Sequence, residues 1–134
     1  MRKAECRSRV ASPGSSGVTD VTAARIDYVE LPSATAHELT RAFYSKAFGW
    51  EFTNYGPAYS ATTNGTTDVG LQGDPEGALA APLPVVKVAD LEAAFDAVTK
   101  AGGVIAKPIF SFPGGRRFHF IDPSGSELAV WSEA

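Results

Sequence analysis

The chain lacks the features that define several protein classes. It has a single cysteine, Cys6, in 134 residues, which excludes an intramolecular disulfide and with it the small stapled scaffolds of secreted proteins. The expected setting is reducing and cytoplasmic. Long apolar runs are missing: the richest, residues 78–86, is broken by Pro82 and Pro84 and falls far short of the roughly 20 apolar residues of a membrane-spanning helix. No membrane partner is expected. Positive charge is short as well, with 12 Lys and Arg against 15 Asp and Glu and a net charge of −3. Phosphate backbones are held by clustered Lys and Arg, so nucleic acid is not an expected partner. The motifs G-x-G-x-x-G, G-x-x-x-x-G-K-[ST], H-E-x-x-H and C-x-x-C are all absent, which removes the signatures of dinucleotide, P-loop, zinc-protease and dithiol chemistry. Gly114-Gly115-Arg116 feeds a strand and lacks the helix start that cradles phosphate.

What is present describes an ordinary globular domain. Hydrophobic residues make up 44% and aromatic residues 10%, which excludes wholesale disorder. A chain of this length predicts about one domain and buries close to two-thirds of its unfolded surface. Residues 1–22 differ from the rest: Arg2, Lys3, Arg7 and Arg9 precede a Ser-Pro-Gly-rich stretch without periodic apolar positions. They lack the apolar core of about seven residues that a signal peptide needs, and are expected to form a disordered leader in which Cys6 is an incidental thiol. The domain then covers 23–134. Without the leader, eight basic face thirteen acidic side chains, a net charge of −5, which favours a cationic over an anionic electrostatic partner.

From Arg25 the chain states one pattern twice. Alternation and β-branched content predict a strand over 26–31. Thr35 and Glu38 have the spacing of a capping box that would open a helix through Leu39, Ala42, Phe43 and Ala47, which Gly49 would end. His37 in its first turn is expected to face solvent, and Trp50 to fill the core. Three short strands are expected over 50–55, 58–63 and 67–72, punctuated by Asn54, Gly56, Pro57, Asn64 and Gly65. The second copy starts with a strand over 83–88. Asp90 then caps a helix through Leu91, Ala94, Phe95 and Val98 that stops at Gly102-Gly103, and strands follow over 104–110, 116–122 and 126–132. Each half, 25–77 and 82–132, reads βαβββ, and equivalent first-strand positions Glu30 and Lys87 lie 57 residues apart. A half that cannot bury its own face must pack on its twin. The expected class is α+β, with two βαβββ modules packed on each other.

Ile26-Asp27-Tyr28-Val29-Glu30-Leu31, the segment Ala42-Phe43-Tyr44-Ser45-Lys46-Ala47-Phe48-Gly49-Trp50 and the turn Asp122-Pro123-Ser124-Gly125 resemble the vicinal-oxygen-chelate superfamily, the group of glyoxalase I, fosfomycin- and bleomycin-resistance proteins and extradiol dioxygenases. The resemblance covers 25–132. It implies that the two modules form curved mixed sheets around a cup, a homodimer, and in metal-dependent members a divalent ion held by one residue on the first and one on the last strand of each module. Carried over by position, those sites fall on Tyr28, Leu83, Ala129 and either Gly70 or Leu71. Leu83 and Ala129 have no donor atom, and neutral Tyr28 is a poor ligand. The usual metal site, and hence a metal cofactor, is not expected.

Strand parity places further candidates. If Ala129 faces the cup, so do Glu127 and Trp131. Read as a three-residue hairpin loop with Gly125 left-handed, the Asp-Pro-Ser-Gly turn sets Ile121 opposite Glu127 and His119 opposite Ala129. Arg117 and His119 then share the cup, while Phe118 and Phe120 pack under the helices. Glu30 joins Tyr28, and Lys87 joins Leu83 and Val85. The expected ligand-binding set is therefore Tyr28, Glu30, Leu83, Lys87, Arg117, His119, Glu127, Ala129 and Trp131. His119 is the best catalytic candidate because its titration lies near neutrality. Glu30 and Lys87 would orient a polar ligand or pair with each other, and Arg116-Arg117 would clamp a carboxylate or phosphate or form a solvated strand end. Trp131 offers a stacking surface. The leading expectation is a metal-free binder of a small, largely apolar molecule. One alternative is a lyase, isomerase or dioxygenase that holds a divalent metal on displaced ligands Glu30, His119 and Glu127. The other is a non-catalytic, drug-sequestering or interaction subunit.

Overall fold

The computed structural model describes residues 23–63 and 65–133; the leader expected over 1–22, with Cys6, and the turn residue Asn64 lie outside them. The elements run β1 (Arg25–Pro32), α1 (His37–Phe48), β2 (Thr53–Asn54), β3 (Tyr59–Ala61), β4 (Asp68–Gln72), β5 (Leu83–Lys87), α2 (Leu91–Lys100), β6 (Val104–Phe112), β7 (Gly115–Ile121) and β8 (Glu127–Ser132). The class is α+β, and the βαβββ order recurs in both halves as the sequence predicts.

All eight strands form one mixed sheet in the order β2-β3-β4-β1-β5-β8-β7-β6. In each module the first strand lies parallel beside the last, β1 with β4 and β5 with β8. The modules join through antiparallel β1 and β5 of the same chain, so the first strands, which carry candidate site residues, occupy the centre. The expected turn chemistry holds in the second module. The Asp122 carboxylate accepts from the backbone N–H groups of Ser124 and Ser126 at 2.8 and 3.0 Å, and Gly125 takes φ 97°. The resulting register pairs Ile121 with Glu127, His119 with Ala129 and Arg117 with Trp131.

The two helices pack differently. Asp90 caps α2 by accepting from Ala93 N–H at 3.0 Å. The Leu91 and Ala94 face then covers Val88, Phe118 and Val130, a core flanked by Phe95, Val98 and Phe120. Helix α1 has no buried residue. Its expected core stripe faces outward, with Leu39 76% and Phe43 59% exposed, while His37, Thr40, Arg41 and Tyr44 are half-buried. The expected capping box does not form: Ala36 stands at the cap without a side-chain hydrogen bond, and Glu38 pairs with Arg41. His37 is not solvent-facing either. Its Nδ1 lies 2.7 Å from Ser33 Oγ and its Nε2 3.2 Å from Ser60 Oγ. The Ser33 hydroxyl, just past β1, and the Ser60 hydroxyl of β3 hold the polar side of the helix start against the sheet, which turns the apolar stripe away. The Gly49 stop is as expected, at φ 74° with its N–H bonded to Ser45 O. The strand expected over 50–55 shrinks to Thr53–Asn54 because Trp50 leaves the sheet line to stack on Tyr44 at 5.1 Å and to meet Phe48 at 5.3 Å. Trp50 is half-buried rather than a core filler.

Candidate functional site

The face of the sheet opposite α2 carries the candidate residues. Its floor is apolar: Leu83, Val85 and Ala129 are 3%, 2% and 0% exposed and are covered by Tyr28, Leu79 and Trp131. Leu83 and Ala129 therefore lie on the expected face, beneath other side chains.

Above that floor runs a chain of polar contacts from β8 to β3. Arg117 is always a donor, which fixes the direction of the rest. Its Nε and Nη2 lie 3.2 and 3.0 Å from His119 Nε2, so that ring nitrogen accepts. Nδ1 then carries the proton and donates to Glu127 Oε2 at 2.8 Å. Arg117 Nη2 also reaches Glu30 Oε1 at 3.4 Å. The other Glu30 oxygen accepts from Tyr59 O–H at 3.0 Å, and Tyr59 in turn is hydrogen-bonded to Tyr28 O–H. Burial drives the His119 pKa below its usual 6.5, with Glu127 opposing, so the ring is neutral at pH 7. Burial likewise pushes the Tyr28 hydroxyl up to about 12 and raises that of Tyr59, keeping both phenols protonated. Glu30, 6% exposed, is thus a buried carboxylate with a donor for each oxygen, as burial of charge requires.

The pairing of Glu30 with Lys87, one of the two alternatives for these residues, does not occur, since Glu30 is taken by Arg117 and Tyr59. Lys87 Nζ lies 2.9 Å from Glu133 and 5.1 Å from the centre of the Trp131 ring. Arg116 points to the other side of β7, where it holds Glu92 through two contacts of 2.6 and 3.1 Å, so the two arginines do not form one clamp. Sequence reasoning missed Tyr59 and Asp27. Asp27 occupies an irregularity in the β1–β5 pairing and accepts from the Trp131 indole N–H at 3.1 Å; bulges re-aim side chains and have no signature in a lone strand. Gly70 is resolved as the cup-facing residue of β4: a β-carbon there would collide with the Tyr28 and Tyr59 hydroxyls.

The four positions where the fold would hold a metal therefore carry Tyr28, Gly70, Leu83 and Ala129. Two have aliphatic side chains, one has none, and the phenol is protonated and bonded to Tyr59. These residues do not fit a divalent ion. The displaced set fares no better: both ring nitrogens of His119 are engaged, by Arg117 and Glu127, and Glu30 is joined to them only through Arg117. Among the described residues no three His, Cys, Asp or Glu side chains converge as ligands.

The fold has solved counterparts. A glyoxalase/bleomycin resistance protein/dioxygenase superfamily member from Vibrio splendidus 12B01 matches with TM-score 0.61 at 18% identity, over 83% of this chain and 99% of that one. Methylmalonyl-CoA epimerase from Mycobacterium tuberculosis matches with TM-score 0.65 at 14% identity, over 81% and 87%. The Mn(II)-bound glyoxalase from Novosphingobium aromaticivorans matches with TM-score 0.59 at 19% identity, over 84% of this chain and 39% of that one. At such identities the likeness is one of fold. No curated protein matches the chain. The family model of the Glyoxalase/Bleomycin resistance protein/Dioxygenase superfamily matches residues 25–130, and the chain belongs to that superfamily. Among the described residues no helix is long and apolar enough to cross a membrane.

Proposed function

We propose that this chain is a metal-independent member of its superfamily that binds a small molecule on the cup face, in a cytoplasmic setting. The observation that carries the reading is the set of residues at the four metal positions, where Leu83, Ala129 and Gly70 supply no donor and Tyr28 is committed to Tyr59. The ligand meets the rim of the cup, formed by Tyr28, Trp131, Lys87 and Arg117, rather than its covered floor. Glu30, His119 and Glu127 orient Arg117. Neutral His119, with its Nε2 accepting from Arg117, serves to position that side chain; it is not a free base. The test is thermal melting with zinc, nickel, manganese or iron(II) added. A cation held at about 100 times its dissociation constant adds roughly 2.7 kcal/mol of stability. No stabilisation is expected, and a saturating rise with one of these ions would refute the reading.

The outward stripe of α1 supports a homodimer. Leu39 and Phe43, 76% and 59% exposed, lie one turn apart on one face of the helix. Two-fold docking of this helix on its own copy would cover both, together with Ala42 and Ala47. The charges suit this occupant: Glu38 lies in the first turn and Lys46 in the last, so antiparallel copies set each beside its opposite.

A further inference from the structure

Register places Lys87 of β5, Trp131 of β8 and Arg117 of β7 in one row across three adjacent strands, Lys87 opposite Trp131 and Trp131 opposite Arg117. Two more rings close the row. The Arg117 guanidinium lies 5.8 Å from the ring centres of both Phe110 and Phe112, and Phe112 lies 6.1 Å from Trp131. Cations and aromatic rings therefore alternate on a partly exposed surface. The guanidinium is held from behind: Nε and Nη2 are spent on His119 and Glu30, and Nη1, with two N–H groups, carries no hydrogen bond among the described residues.

We propose that this row is the ligand seat and that it takes a planar aromatic or conjugated carboxylate. The statement rests on the metal-free reading above and adds the ligand class. The flat body of such a molecule lies on Trp131 and Phe112. Its carboxylate accepts from Arg117 Nη1, with the Lys87 ammonium as second cation; charge-assisted contacts of this kind are about twice as strong as neutral ones. The nearby acids leave room for it. Asp27 is bonded to the indole N–H, and Glu30 is satisfied by Tyr59 and Arg117. Glu133 is 70% exposed, and surface pairs like its contact with Lys87 contribute little, so a ligand carboxylate can displace it. An organic cation, the class that the overall acidity would favour, would be repelled by Lys87 and Arg117 beside these rings.

The experiment titrates the full chain calorimetrically with 1-naphthoate, naphthalene-1-methanol and 1-naphthylmethylammonium, at low salt, with and without EDTA. Naphthoate should bind at least about tenfold tighter than the alcohol, with the ammonium weakest, and its affinity should fall as salt rises. Arg117→Lys, which keeps the charge but loses the guanidinium fork, should weaken naphthoate by about tenfold and the alcohol little. Lys87→Gln, a change at a half-exposed position, should cost naphthoate about threefold with an unaltered melting temperature. Alcohol or ammonium binding as tightly as naphthoate would overturn the proposal, as would no binding of any of the three at about 5 mM. Naphthoate binding that EDTA abolishes would instead refute the metal-free reading, whereas EDTA-insensitive but charge-blind binding leaves that reading intact and removes only the carboxylate.

Discussion

Arg117 reaches Glu30 at 3.4 Å although β8 and β5 lie between their strands. At the usual spacing of about 4.8 Å between neighbouring strands, β7 and β1 would stand roughly 14 Å apart on a flat sheet. The ion pair therefore records the curvature that makes the face a cup, and it ties one module to the other. Arg117→Ala leaves a carboxylate that is 7% exposed without its cation, and breaking such a pair costs about 3 kcal/mol. Urea denaturation should show that loss, with part of it recovered in Arg117→Ala combined with Glu30→Gln. A single mutant within a few tenths of the parent would show that the contact does not hold the modules together.

Stability should depend on pH through His119. Its folded pKa lies below the usual 6.5, so between those two values the unfolded chain binds more protons than the folded one. Stability is then highest above pH 6.5 and declines as pH falls from about 7 toward the folded pKa, with no further loss from this group below it. His119→Gln should flatten that limb of the curve in pH-dependent denaturation. An unchanged slope in the variant would assign the titration to another group.

Gly70→Ala tests how closely the phenols fill the place of a metal ligand. The added methyl meets the hydroxyl ends of Tyr28 and Tyr59, and overpacking of this kind costs about 1–3 kcal/mol. Thermal melting should record the loss, and it should shrink in a Tyr28→Phe, Tyr59→Phe background, which removes both hydroxyls. Equal costs in both backgrounds would mean that the Tyr28 ring carbon, 2.7 Å from the added methyl, and not the hydroxyls, resists the side chain.

Phe43→Glu tests the proposed homodimer, since it sets a carboxylate in the middle of the exposed α1 stripe. Light scattering over about 1–100 μM should find the parent chain dimeric at the upper end and the variant monomeric throughout, with the same melting behaviour at low concentration. A variant as dimeric as the parent would move the interface elsewhere, and a parent monomeric at every concentration would remove the homodimer.

The second module was the more legible half. Its helix start, its Asp-Pro-Ser-Gly turn and the whole β7–β8 register follow from local rules, because Asp90, Asp122 and Gly125 each satisfy backbone groups a few residues away. That register alone places Arg117, His119, Glu127, Ala129 and Trp131 on one face. The first module was harder because its deciding contacts are distant. Ser60 holds His37 from 23 residues away and turns α1 over, against a capping-box spacing and an apolar stripe that both favour the opposite face. Tyr59 enters the site through Glu30, 29 residues away, and Asp27 through a bulge. None of these has a periodic signature, and the pairing of Glu30 with Arg117 rather than Lys87 follows from sheet curvature that a strand pattern does not encode.

Metal content tests the account most directly. The full chain, purified without chelators from cells supplied with zinc, nickel, manganese and iron, should contain well under about 0.1 equivalent of any of them by mass spectrometry of the digested protein, while binding of naphthoate persists. One equivalent of a divalent ion, lost on substituting His119 or Glu127, would contradict it.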